Sequence, residues 1–247
     1  MGSIITAAII KGGTGKTTTA AALAQAAKKK GRRVLAIDLD PQGNLSAFLE
    51  ADTEQPGALE LLGGADPAEV IQQTGQEIEI ISSCPDLAAE KTEAGSVKRL
   101  EAALDPIKGS YDFIFIDTPP QMGELTYNAL QASTGVIVPM EADNSSISGL
   151  YQLADIIESL QQRGAKGLSL IGGILTRYDA RSKINSFMRE AIIEALKEVG
   201  APYLGEVRSG IAIREAQATR ASLFKYAPKS KPAQDYMKIF EQIEGGK

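Results

Sequence analysis

Lys11-Gly12-Gly13-Thr14-Gly15-Lys16-Thr17 stands between an apolar run over residues 4–10 and an alanine-rich run that continues to Lys30. Strand, glycine-rich turn and helix, in that order, are the setting in which backbone amides cradle phosphate. Gly12, Gly13 and Gly15 let the backbone turn tightly and aim N–H groups at anionic oxygens. A helix starting near Lys16 adds the positive end of its dipole. Lys16 is then placed for the β- and γ-phosphates of a nucleotide, and the Thr17 hydroxyl for Mg²⁺. Thr14 and Thr18 are counted with them as nucleotide-binding residues. The general phosphate-loop pattern puts its first glycine where this chain has Ile10, so only its G-K-T end is met. The competing reading is a strand–helix turn with no ligand; Lys16-Thr17 directly after the glycines argues against it.

Such a loop needs a carboxylate at a neighbouring strand end to hold Mg²⁺ through water. Phe113-Ile114-Phe115-Ile116-Asp117 supplies one, and Thr118-Pro119-Pro120 stiffens the exit. A second strand end carries Asp38 and Asp40, either of which could position the attacking water. For Asp40 a helix cap is the alternative role, because Pro41 suits a first helical turn.

Working outward, short Ile/Val-rich runs alternate with helical spacing, the signature of βαβ units. Strands are predicted over residues 4–10, 34–37, 78–81, 113–116, 135–138, 168–175 and 203–207. Helices are predicted over 17–30, 123–132, 146–162, 183–199 and 232–243, with two short helices and turns over 50–77. The expected fold is α/β: a single doubly wound domain over 1–247, with a mostly parallel central sheet flanked by helices.

Composition closes several chemistries. No histidine is present, which excludes a Ser-His-Asp triad, a Cys-His pair and any histidine-ligated metal. The single cysteine, Cys84, excludes an internal disulfide and suits the cytoplasm. No apolar run reaches the roughly 18 residues that a bilayer span needs. Met1-Gly2-Ser3-Ile4-Ile5-Thr6 fits an N-myristoylation pattern, but the same residues lead into the first strand. The net charge of −5 is uneven: residues 176–231 hold eleven Lys and Arg against six Asp and Glu, which leaves −10 on the rest. Within that basic third, Arg181, Lys183, Arg208, Arg214, Arg220, Lys225, Lys229 and Lys231 are candidates for salt-sensitive phosphate-backbone contacts. Solvated surface charge is the plain alternative for each.

The stretches KGGTGKTTT, DLDPQGN and FIFIDTPP, with Ile174-Leu175-Thr176-Arg177-Tyr178-Asp179-Ala180-Arg181 and Tyr226-Ala227-Pro228-Lys229-Ser230-Lys231, resemble the ParA/MinD family of deviant-Walker P-loop ATPases over nearly the whole chain. The pattern looks most like ParA proteins without an N-terminal DNA-binding domain. The resemblance implies that Lys11 is the signature lysine that reaches a partner's phosphates in a nucleotide-sandwich homodimer. It implies a catalytic set of Lys11, Lys16, Asp40 and Asp38, with Asp117 as the Walker B acid and ATP and Mg²⁺ as cofactors. Thr176 and Arg208 fall where adenine contacts are expected. By the same likeness the ATP dimer binds nonspecific DNA, and a ParB-like adaptor triggers hydrolysis. The expected locale is cytoplasmic and nucleoid-associated, and the cargo a plasmid, a chromosome or another body. One departure concerns Arg208 and Arg214, which are displaced from the arginine-rich stretch of many relatives.

Two other classes compete. A MinD-type membrane-associated ATPase would need a basic amphipathic tail; the acids Glu241 and Glu244 in residues 239–247 count against one. A metabolic ligase or reductase on the same fold would need a substrate pocket, or cluster cysteines that one Cys cannot supply.

Overall fold

The structure is a computed structural model that describes residues 2–89 and 96–246. Met1 of the lipidation-like pattern and Lys247 of the tail lie outside the described residues. The strands are β1 (Ser3–Ala7), β2 (Val34–Asp38), β3 (Ile71–Gln73), β4 (Glu79–Ile81), β5 (Phe113–Asp117), β6 (Gly135–Met140), β7 (Leu170–Tyr178) and β8 (Tyr203–Arg208). The helices are α1 (Lys16–Lys29), α2 (Asn44–Leu49), α3 (Ala58–Leu62), α4 (Pro67–Val70), α5 (Arg99–Leu104), α6 (Glu124–Ala132), α7 (Asn144–Gln162), α8 (Lys183–Glu198), α9 (Ile211–Ala218), α10 (Leu223–Tyr226) and α11 (Lys231–Gly245).

One eight-stranded sheet runs β3-β4-β2-β5-β1-β6-β7-β8. Every pairing is parallel except β3 with β4. The central strands are buried on both faces, which explains their unbroken apolar character. Phe113 and Phe115 of β5 share one core with α1 and α11, where Phe113 meets Phe240 edge-on at 5.2 Å. Ile114 and Ile116 point the other way, into a core with α3, α5 and α6. A third core joins β6 and β7 to α7 and α8. Full burial of each such side chain stabilises by about 1.5–3 kcal/mol, so the two-sided pattern sets the register.

Helix α1 is mostly alanine at its buried positions, which lets it lie close to β5 between sheet and α11. It ends where Gly31 takes a left-handed φ of 76° and its amide bonds to the Lys28 carbonyl.

Three sequence expectations are corrected. The first strand ends at Ala7, not at residue 10; Ala8 and Ile9 are buried in the α7–α8 core as part of the loop. Apolar character there reflects a second packing layer, and Gly149 of α7 lets Ile9 approach. Residues 50–77 contain the short helices but also edge strand β3, whose Ile71-Gln72-Gln73 carries no strand pattern. The strand predicted over 168–175 begins at Leu170 and runs on to Tyr178.

Candidate nucleotide site

Strands β2, β5 and β1 are adjacent, and register places Asp38 beside Asp117 and Asp117 beside Ala7. Three strand ends therefore converge, with β1 followed at once by the glycine-rich loop. This is the crevice beyond the carboxyl ends of parallel strands, at the point where β1 leads to β2 on one side of it and β5 leads to β6 on the other. Thr118 Oγ1 donates to the Ala7 carbonyl at 3.0 Å and ties the β5 exit to the β1 end.

Gly13 (φ 77°) and Gly15 (φ 92°) hold left-handed conformations that side chains resist. Gly12 does not, and a Cβ there would meet only Pro120 at 3.8 Å. Lys16 is 7% exposed and donates to the Lys11 carbonyl at 2.9 Å. It makes no direct ion pair with any described carboxylate. Burial pushes its pKa down, while the charges of Asp117 and Asp40 pull it up.

Both Asp117 carboxylate oxygens are buried and lack a hydrogen-bond partner. Burial and then the Asp38 charge push its pKa well up, against the opposing pull of the Thr17 hydroxyl and Lys16. An orphaned buried carboxylate beside the Thr17 hydroxyl fits a hard cation. Among the described residues no cluster of three or more acids, cysteines or histidines could hold a metal. The remaining ligands would therefore be water and phosphate, as Mg²⁺ prefers.

The two acids at the end of β2 differ. Asp38 is fully buried and saturated: Asp40 N donates to Oδ1 at 3.1 Å, and Ser46 N and Oγ donate to Oδ2 at 2.8 Å. Burial raises its pKa to about 6 in spite of those bonds. Asp40 accepts one bond, from Gln42 N at 3.0 Å, and is 8% exposed. Ser83 braces this loop: its amide donates to Ser46 Oγ at 2.9 Å and its hydroxyl to the Asp40 carbonyl at 2.6 Å. Sequence reading missed Ser46 and Ser83, because serine carries no strand or motif signal.

Beside the loop opens a cleft of about 570 Å³, lined by Gly15, Thr18, Thr176, Arg177, Arg208 and Tyr236 among others. Thr176 Oγ1 donates to the Thr14 carbonyl at 2.8 Å, so it also stitches β7 to the loop. Arg208 lines the cleft, but its guanidinium is held by the buried Asp235 at 2.6 and 2.8 Å.

Lys11 leaves the cradle. Its ammonium contacts Asp143 and lies 3.5 Å from Glu141, with its side chain 20% exposed. Burial would raise the Asp143 pKa, but Lys11, Ser145 and Ser146 bring it down to about 2. These acids follow buried strand β6 as Asp40 follows β2, and that parallel was the signal that could have found them.

The basic candidates are scattered over β8, α8, α9, α10, α11 and their loops. Arg181 has its side chain 92% exposed, although it forks onto Asp179. Lys183, Arg214, Arg220, Lys229 and Lys231 are exposed, and Lys225 faces Glu77 at 3.7 Å.

The family profile described as AAA domain (AAA_31) matches residues 2–170. The sporulation initiation inhibitor protein Soj of Bacillus subtilis (strain 168) is 32% identical over 251 residues, 98% of each chain. The chromosome partitioning protein ParA of Myxococcus xanthus is 30% identical, over 98% of this chain and 88% of its own. The septum site-determining protein MinD of Pyrococcus horikoshii, solved with Mg-ADP, superposes with a TM-score of 0.82 at 30% identity, covering 99% of this chain and 96% of that one. Cobyrinic acid a,c-diamide synthase of Mycobacterium smegmatis, solved with ADP and magnesium, gives 0.79 at 29% identity, covering 100% and 97%. By these matches the chain belongs to the ParA/MinD family of P-loop ATPases.

Proposed function

We propose that this chain is an ATP-gated positioning switch: ATP closes a homodimer, the dimer rides on duplex DNA, and a ParB-like adaptor stimulates hydrolysis and release. The observation that carries the reading is the split between the two loop lysines. Lys16 is buried in the cradle, whereas Lys11 projects to the rim, where a second copy could offer it phosphate. Two such lysines repel across an empty interface and are drawn in by nucleotide, so ATP favours the pair through differential contacts.

Within one chain the residues divide the work. The loop amides and Lys16 would hold the β- and γ-phosphates, and Thr17, with Asp117 acting through water, would hold Mg²⁺, which when bound would supply charge neutralisation at the phosphates. Asp40, with an oxygen to spare, orients the attacking water and takes its proton; Asp38, already saturated, anchors the Asp40 loop. Thr176 and the cleft around Arg208 hold the nucleoside.

Exposed Arg181, Lys183, Arg214, Arg220, Lys225, Lys229 and Lys231 favour a polyanionic track. A membrane track is disfavoured, because α11 buries Tyr236, Ile239 and Phe240 in the core and pairs Glu241 with Lys30 and Glu244 with Arg32. A cytoplasmic, nucleoid-associated locale follows from the DNA reading. Family members with metabolic substrates remain a different class, and phosphorylated small-molecule products would reveal one.

The test is binding to random-sequence duplex DNA with ATP, ADP or no nucleotide, at two salt concentrations. Tight binding with ATP alone, weakened by salt, is expected. No ATP-dependent binding at low salt sinks the DNA track.

A further inference from the structure

In the single chain Lys11 is held. Asp143 Oδ2 contacts its ammonium and Glu141 Oε2 lies at 3.5 Å. Glu141 is shared, for its Oε1 accepts from Arg177 Nη1 at 2.6 Å. Arg177 lines the nucleotide cleft with φ 52°, a left-handed conformation uncommon outside glycine, and Ser209 Oγ donates to its carbonyl at 2.7 Å. Charges therefore alternate from the cleft wall to the loop: Arg177, Glu141, Lys11, Asp143. Asp143 splits its duties between its two oxygens. Oδ1 caps α7 by accepting from Ser146 N at 2.9 Å and Ser145 Oγ at 2.8 Å, and Oδ2 is the oxygen given to Lys11. The cap needs an acceptor, to which charge adds only the weak pull of the helix dipole, and the oxygen left over by the cap is the one that meets Lys11.

We propose that Asp143 and Glu141 are positioning residues that hold Lys11 in cis, so that pairing of two copies must exchange these carboxylates for the partner's nucleotide phosphates. The inference rests on the reading of Lys11 as the lysine that crosses the dimer. Holding the lysine has two consequences. It gives the cation a partner in cis that the incoming phosphates must displace, and it thereby raises the ATP concentration at which pairs form. Partly exposed ion pairs of this kind shift an equilibrium by roughly two- to fivefold. Arg177 connects the latch to the cleft, because a nucleoside that moves Arg177 loosens Glu141.

The test variant is Asp143→Asn, which keeps an oxygen for the α7 cap and removes the charge; Glu141→Gln is its companion. The first measurement requires no dimer. The nucleotide-free protein is acylated with an amine-reactive ester, and labelling is read residue by residue by mass spectrometry, with Lys183 as internal reference. Lys11 should label several-fold faster in Asp143→Asn while Lys183 is unchanged; equal Lys11 labelling overturns the latch. The second measurement is the ATP midpoint of dimerisation by sedimentation. It should fall two- to fivefold in Asp143→Asn and return in Asp143→Glu. A higher midpoint in Asp143→Asn overturns the latch and makes Asp143 part of the interface. Faster labelling with no ATP-dependent pairing in any variant leaves the cis contact standing and removes the cross-dimer role of Lys11.

Discussion

Lys16 and Lys11 lie in one loop and the first donates to the carbonyl of the second, yet their surroundings differ. Lys16 is 7% exposed and has no direct carboxylate partner, while the Lys11 side chain is 20% exposed and has two. A cation buried without a counter-ion is costly to the empty fold. That cost is recovered when phosphate arrives, so Lys16 holds binding energy in reserve. Lys11 has its charge already matched, so nucleotide gains there only what exchange of partners returns. One loop thus contains a fixed binding element and a movable one.

The comparison can be broken hardest at Lys16. Lys16→Met should cost about 10²-fold or more in affinity for a fluorescent ATP analogue, given the 3–5 kcal/mol typical of unpairing buried charge. The empty variant should melt no lower than the parent, and a large drop in Tm would remove the idea of a destabilising cation. Lys11→Ala should instead keep analogue affinity within about threefold, as for a surface pair, and abolish ATP-dependent dimers in sedimentation.

A second pair sharpens the point. Asp40→Ala should lower phosphate release by about 10²–10⁴-fold, the usual contribution of a general base, and leave ATP binding and pairing intact. Asp38→Asn would also disturb α2, seen as lost stability, because Ser46 N and Oγ both bond to Asp38.

The smallest effect concerns pH. Asp117 and Asp38 have raised pKa values in the empty fold, from burial before charge. Between about pH 7 and 5 the native state therefore binds more protons than the unfolded one, and these two groups add stability as pH falls. Asp117→Asn should raise the pH 7 Tm of the empty protein by a few degrees, at about 2–4 °C per kcal/mol for this size. It should also shrink the Tm difference between pH 5 and 7; an unchanged difference would show that Asp117 is ionised without penalty.

Much of the site was legible beforehand because its residues are local. The loop from Lys11 to Thr17 is one contiguous turn, and Asp117 and Asp38 are each announced by the apolar strand they end. Edge strand β3 was not, since Ile71-Gln72-Gln73 pairs through backbone rather than pattern. Ser46 and Ser83 were not either, because their roles exist only where α2 and the β4 exit meet the Asp40 loop.

Composition, strand periodicity and one glycine-lysine loop were enough to determine a parallel α/β ATPase without histidine or disulfide chemistry, since each is a property of neighbouring residues. Tertiary structure alone decided that Asp38 is saturated while Asp40 keeps a free oxygen, that Arg208 is tied to Asp235, and that Lys11 rests on Glu141 and Asp143. Those are contacts between segments up to 132 residues apart, and which charges meet over such spans depends on sheet order and register.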